Sequence, residues 1–354
     1  MHFRRFSNDG HIVRDLCLIA VAVLSLFSCD RSANEPGAQA TIVLYTSVDE
    51  PVARPIVDAF SKDTGIAVTL VTDTEATKSV GLAQRLRAEK NQPRCDVWWG
   101  NEPFHTAQLA GEGLFATYAS PSANDVRPTF RDRQHRWAGN GLRARVIAIG
   151  SKSALWRWGD ERDADSLDDL LDPRLKGKIV MGRPALGTIG GHVAAIYATR
   201  GQAAGDAFFE GLRNNGVTLV GGNGPVPQQI AAGNFYLGLT DNDDVAATNA
   251  TGGVTVQAVL PDQAEGQPGT LAIPTTVALG VRAKDNAAAR QLVDRLLSAE
   301  VEKALIAARF AGWSVRAAET EFRAMSIDYA EVARTMPRAV RRAEAILEGR
   351  PPVE

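Results

Sequence analysis

The sequence predicts an α/β fold in two lobes. Three observations carry this. From residue 41 onward, short strand patterns alternate with helical spacings. The strands are continuous apolar runs of 4–8 residues, as a parallel sheet with helices on its faces requires. The alternation restarts as a second series near residue 146.

The first strand is "TIVLYTS", beginning at Thr41. Residues 51–62 follow with Ile56, Val57 and Phe60 at helical spacing, and Gly65 marks the stop. "IAVTLVT" is a second strand. Residues 78–90 form a helix with Leu82 and Leu86 on one face. "DVWWG" is a third strand, and Pro103 opens the next helix. In the second series "RVIAIG" is a strand, and Ser166 with Asp169 makes a capping box. "KIVMG" is a strand, residues 187–200 and 202–214 are two helices, and "VTLVG" is a strand. Residues 226–233 are a helix and "FYLGLT" a strand; "VTVQAVL" and "TTVALGV" come next. From about residue 286 the chain reads as helical, rich in Arg and Ala. The chain is expected to cross between lobes near residues 140–145 and again around residues 254–275. No short-period internal repeat interrupts the pattern.

Composition narrows the function. The chain has 354 residues, enough for two domains, and a formal net charge of -2. Near-balanced charge leaves no footprint for nucleic acid. Arg4, Arg5 and Arg14 precede the apolar run "LCLIAVAVLSLF" at residues 16–27. That run is shorter than the roughly 20 residues needed to span a bilayer, and it fits the hydrophobic region of a secretory signal. Its end, "LFSC", resembles a bacterial lipobox, in which Cys29 would be lipidated. The expected organisation is therefore a signal at residues 1–29, a polar tether at 30–40, first-lobe residues 41–143, second-lobe residues 144–253, and a return to the first lobe with C-terminal helices at 254–354. Cys95 alone remains in the mature domain, where it reads as a small core residue.

In an open α/β sheet, ligands sit outside the carboxyl ends of the strands. The first strand ends at Ser47, Asp49 and Glu50, the second at Asp73, Thr74 and Glu75, and the third at Asn101 and Glu102. The "FYLGL" strand ends at Asp241, Asp243 and Asp244. Any one of these acids reads equally well as a helix N-cap. Jointly they line a cleft. Two carboxylates about 4 Å apart repel by about 4 kcal/mol at an effective dielectric near 20, so a closing cleft calls for a cation, a proton or retained water. Arg143, Arg145 and Arg183 either answer the acids as ion pairs or hold an anion beside the cation. Of the adjacent Trp98 and Trp99, one reads as core and the other as a cleft edge. An EF-hand is excluded: counted from Asp241, Ala246 stands where Gly is needed and Gly252 where Glu is needed. HExxH, G-x-S-x-G and GxxxxGK[ST] are absent, and His105, His135 and His192 are widely spaced.

The segments "LYTSVDEPVARPIVDAFSKDTGIAVTLV", "CDVWWGNEPF", "GLRARVIAIGSKSA", "LLDPRLKGKIVMGRPALGT" and "QQIAAGNFYLGLTDNDDVAA" resemble the solute-binding proteins of bacterial ABC importers, nearest to the ferric-ion-binding branch. The resemblance spans residues 41–316 and rests on segment order. It implies a type II periplasmic-binding fold: two α/β lobes, hinge strands and a central cleft. Glu102 matches the glutamate that follows the third strand in ferric-binding relatives. Their histidine after the first strand has no counterpart in "TSVDE", where Asp49 or Glu50 is nearest. Their tyrosine pair falls on Asp243 and Asp244, and Tyr236 lies inside the strand. Asn223 in "GGNGP" resembles a position that helps hold an anion.

The resulting expectation is a periplasmic or envelope solute-binding protein, lipid-anchored and monomeric, serving an ABC permease and its ATPase. It is not expected to be an enzyme, to touch nucleic acid or to need a cofactor, and Fe3+ is its expected cargo. The expected metal ligands are Glu102, Asp243 and Asp244, with Asp49, Asp73 and Glu75 outside them; an all-carboxylate ferric site departs from the relatives. Alternative ligands are an organic cation (polyamine or thiamine-like) or a phosphonate or phosphorylated solute. A carboxylate-dependent hydrolase is the remote alternative.

Overall fold

The computed structural model describes residues 41–73, 79–150, 164–253 and 255–352. Cys29, the tether, Thr74 and Glu75 lie outside the described residues.

The elements run in the order β1 (Thr41–Thr46), α1 (Glu50–Thr64), β2 (Ala67–Thr72), α2 (Val80–Ala88), β3 (Val97–Gly100), α3 (Pro103–Gly111), β4 (Phe115–Ala116) and β5 (Ala138–Gly150). They continue with β6 (Ile179–Gly182), α4 (Thr188–Asn214), β7 (Thr218–Val220), α5 (Pro225–Ala231), β8 (Leu237–Asp241), α6 (Asn242–Ala250), β9 (Val256–Val259) and β10 (Ala272–Gly280). Helices α7 (Ala287–Leu296), α8 (Ala299–Ala307) and α9 (Tyr329–Leu347) complete the chain. The strands lie in the order β2-β1-β3-β10-β5-β8-β6-β7, with β4 on β10 and β9 on β5. β1, β2 and β3 pair in parallel, as do β6 with β7 and with β8. β10 and β5 run antiparallel between these two parallel halves.

β5 is the element that joins the halves. Its first part pairs with β10 as far as Ala144, opposite Ala272. From Arg145 it pairs with β8, opposite Asp241, and later with β9. The strand is longer than the expected "RVIAIG", because residues 138–145 belong to it too. That stretch, "AGNGLRAR", holds two glycines and two arginines and looks like a turn by composition. It is a strand because every one of its side chains is buried and the arginines have partners. Gly141 has a left-handed φ of 75°, and a Cβ there would sit 3.0 Å from the Ala311 Cβ. β10 shifts register at the same level, between Pro274 and Thr276. β9 was expected in the returning segment, residues 254–354; it instead pairs with the second part of β5, so the return to the first half comes after Val259.

The two helices expected from residues 187–200 and 202–214 are present, meeting at Gly201 with φ 76°. Ser166 and Asp169 form the expected capping box. α9 packs on both α4 and α3, and so touches both halves. Trp98 and Trp99 are both fully buried, so neither edges a cleft. Cys95 is buried and free, and burial pushes its thiol well above the ordinary range. Among the described residues no helix is long and apolar enough to cross a membrane.

The halves also meet where the start of α4 lies on Phe104 of α3. A Cβ on Gly191 would come within 1.9 Å of the Phe104 ring, which also packs on Tyr329, with ring centroids 5.8 Å apart. Gly191→Ala is therefore expected to destabilise the protein by about 1–3 kcal/mol through overpacking, read as a lower urea midpoint with unchanged slope. An unchanged midpoint would show that the ring moves aside freely.

Candidate functional site

The site forms around two arginines on β5. Residues two apart on a strand share a face, so Arg143 and Arg145 point the same way. Arg145 stands directly opposite Asp241 in the antiparallel pair with β8. Asp241 ends β8 and occupies the N-cap position of α6, but its side chain does not cap the helix. It is taken by the arginines instead. Arg145 Nη1 donates to Asp241 Oδ1 at 2.7 Å and to Asn223 Oδ1 at 2.8 Å. Arg143 Nη1 donates to Asp241 Oδ2 at 3.3 Å and to Asp243 Oδ2 at 2.8 Å. Arg143 Nη2 donates to the Asn101 carbonyl, at the end of β3.

A shell of neutral groups fixes this core. Thr188, at the start of α4, donates to Asp241 Oδ2 at 2.7 Å, and Asn223 Nδ2 donates to the same oxygen at 3.1 Å. Thr240 Oγ1 donates to Asp244 Oδ2 at 3.1 Å. The Ala144 amide donates to Asn242 Oδ1 at 2.8 Å. Arg145 Nε donates to His192 Nδ1 at 3.3 Å. Burial, then Arg145 and Arg200, hold His192 well below its ordinary pKa, so it sits there as a neutral acceptor.

The aspartates converge. Asp241, Asp243 and Asp244 each present a carboxylate oxygen, and these three lie within 4.8 Å of one another. With Asn101, Arg143, Thr188 and Asn223 they border a cavity of about 30 Å³. Burial opposes the Asp241 charge, but Arg145, Arg143 and the Thr188 hydroxyl outweigh it and hold its pKa below the carboxylate range. Burial likewise opposes the Arg143 charge, and Asp243, Asp241 and Asp244 overcome it, leaving its pKa raised. By formal charge, three carboxylates face two guanidiniums.

The remaining expected site residues fall elsewhere. Ser47 Oγ donates to Asn101 Oδ1 at 3.0 Å, and Ser79 Oγ donates to the same atom at 2.6 Å, so Ser47 positions Asn101. Glu102 is not in the aspartate group. Its carboxylate caps α3, accepting from the Phe104 and His105 amides, and meets His105 Nδ1 at 2.9 Å. Asp49 occupies the N-cap position of α1 without a side-chain cap bond, and Glu50 pairs on the surface with Arg54 at 2.6 Å. Asp73 Oδ2 accepts from the Leu82 amide in the first turn of α2. Arg183, offered as a third cation for the acids, lies on the surface 3.9 Å from Glu348. Thr188 and His192 carried no expectation as site residues. The sequence signal for Thr188 was a hydroxyl opening the helix expected over residues 187–200.

Fold and site together define a solute-binding protein with the two-lobed periplasmic-binding architecture. Residues 41–310 match the family described as Bacterial extracellular solute-binding protein, and the chain belongs to it. It is 25% identical over 224 residues to the Fe(3+)-binding periplasmic protein of Serratia marcescens, covering 63% of this chain and 62% of that relative. It is 25% identical over 278 residues to the Major ferric iron-binding protein of Neisseria meningitidis, covering 77% of this chain and 80% of that one. Iron-bound HitA from Pseudomonas aeruginosa has the same fold, with TM-score 0.73 and 22% identity over 86% of this chain and 99% of that one. The ferric binding protein from Campylobacter jejuni superposes with TM-score 0.75 at 20% identity, over the same shares.

Asp241 supplies a test of the electrostatics. Its folded pKa lies below its unfolded value, so its stabilisation is fully present above the unfolded value, about 3.9, and is lost as pH falls through the folded one. Asp241→Asn is expected to cost about 3–5 kcal/mol at neutral pH, since it leaves buried guanidiniums short of an anion. In urea titrations the gap to wild type should narrow below about pH 4. A gap constant down to about pH 3 would mean that the arginines do not depend on that charge.

Proposed function

We propose that this chain is the extracytoplasmic binding component of an ABC importer whose cargo is ferric iron, taken as the ion or a small chelate. One observation carries the reading: three aspartate oxygens within 4.8 Å border a cavity of about 30 Å³ at the strand ends where the two halves of the sheet meet. That volume is about one water's share of liquid. A site of that size suits a single ion in this arrangement. Hard carboxylate donors suit a hard cation. The curated relatives named for ferric iron point the same way. Asp243 and Asp244, which stand where the family resemblance implies a tyrosine pair, are the proposed exchangeable ligands, with Asp241 as the third donor. Glu102 is not retained as a ligand, since its carboxylate serves α3 and His105.

The charge count favours iron that brings an anion with it. A trivalent ion beside Arg143 and Arg145 exceeds the three carboxylates by two charges, and a small anionic chelator or two hydroxides restore balance. Cargo release to a permease driven by its ATPase, a lipid anchor at Cys29 and action as a monomer complete the reading. The lobes would hinge on β5 and on the segment between β9 and β10.

A second reading has one observation in its favour. Arg143 lines the cavity, and its buried Nε has no hydrogen-bond partner among the described residues. A phosphorylated solute would supply one. A structural neighbour at TM-score 0.72, AfuA from Actinobacillus pleuropneumoniae, was solved with fructose-6-phosphate.

Thermal unfolding of chelator-stripped protein separates these readings. Ferric iron offered as a weak chelate is expected to raise the melting temperature, with about 2.7 kcal/mol of stabilisation at a hundredfold excess over Kd. Asp243→Ala with Asp244→Ala should abolish the rise. A rise that survives in the double variant, or one produced by a sugar phosphate and not by iron, overturns the ferric assignment.

A further inference from the structure

Arg145 and Arg143 look equivalent in sequence but hold different things. The side-chain partners of Arg145 are Asp241, Asn223 and His192, on β8, the segment before α5, and α4, all in the second half of the fold. Arg143 spans the halves. One arm of its fork holds Asp243 in α6 and touches Asp241; the other holds the carbonyl of Asn101, at the end of β3 in the first half. Asn101 is itself pinned by Ser47 at the end of β1 and by Ser79 at the start of α2. The guanidinium is backed by the Phe310 ring, 5.2 Å from its centroid, and the side chain is 2% exposed. The strand ends that would close on a cargo cation are therefore already tied by a cation of the chain's own.

We propose that Arg143 is a built-in clamp: it draws the two halves together through Asn101 and Asp243, and a cargo cation takes Asp243 over from it. The second clause rests on the ferric reading above; the first does not. Asp241 is the fixed member, held by Arg145, Thr188 and Asn223 as well. Asp243 is the exchangeable one, at the cavity wall with Arg143 at 2.8 Å. A planar fork suits this task, since it can hold a carboxylate and a carbonyl at once, which a lysine ammonium does as a single point charge.

Small-angle X-ray scattering on the full mature chain tests it, using chelator-stripped protein with and without ferric iron. Stripped wild type is expected to be compact and to change little with iron. Stripped Arg143→Gln should show a larger radius of gyration, and iron should restore the wild-type value by bridging Asp243 to the Asn101 carbonyl that the arginine held. Arg143→Lys keeps the buried charge but loses one arm of the fork, and is expected to expand as well; whichever variant folds, judged by circular dichroism, decides the matter. A folded variant as compact as stripped wild type overturns the clamp. An expanded variant that iron fails to compact supports the clamp and overturns the exchange of Asp243 to the cation; the ferric reading itself stands or falls on the thermal shift, so the two fail separately.

Discussion

The buried meeting of Arg143 and Arg145 with Asp241 is the constraint on which the rest of this structure depends. Each of these groups gives up its hydration, at a cost of several kcal/mol per ion, and only close pairing with further hydrogen bonds offsets that. The pairing in turn dictates local geometry. It fixes the register of β5 against β8, because Arg145 must face Asp241. It pulls the starts of α4 and the segment before α5 inward, because Thr188 and Asn223 complete the Asp241 shell. It reaches into the other half of the sheet through Asn101. A site made this way is set by electrostatics first and shape second.

Most of the fold was legible from residue pattern. Period and composition suffice where an apolar run lies between helices, as for β1, β3 and β6, and Gly201 announces the break in α4. The crossing strand was legible only in its second part. In "AGNGLRAR" Asn140, Gly141 and the two arginines are buried partners of residues 96 to 161 positions away, and no local pattern encodes that. The site was half legible for the same reason. Strand-end placement singled out Asp241, Asp243, Asp244 and Asn101, the family resemblance added Asn223, and the structure brings these together. It could not separate them from Glu102 and Asp73, whose carboxylates serve nearby helix starts, or from Asp49, which stands at the N-cap position of α1. Cap or ligand is decided by where the side chain turns, not by residue type.

Under the proposed ferric reading, aspartates at the position where the resemblance implies a phenol pair would change the chemistry of cargo capture. A phenol has an ordinary pKa near 10 and must surrender its proton to bind a metal, whereas a carboxyl near 3.9 has already done so at neutral pH. If Asp243 and Asp244 are the ligands, as proposed, capture would release no phenol proton. The donors are also less basic, which trades affinity for easier release. Against that weaker grip, the neutral shell of Thr188, Thr240 and Asn223 keeps the carboxylates aimed without adding competing charge.

The contact of Gly191 with the Phe104 ring carries a kinetic consequence. One side of it is bare backbone, which has no rotamers with which to follow a departing partner. A joint of that kind cannot stretch; it is seated or it is broken. Motion between the two halves should therefore proceed by a discrete step with a barrier of its own. The time the protein spends shut would be set at this face, some way from the charges that decide what it holds.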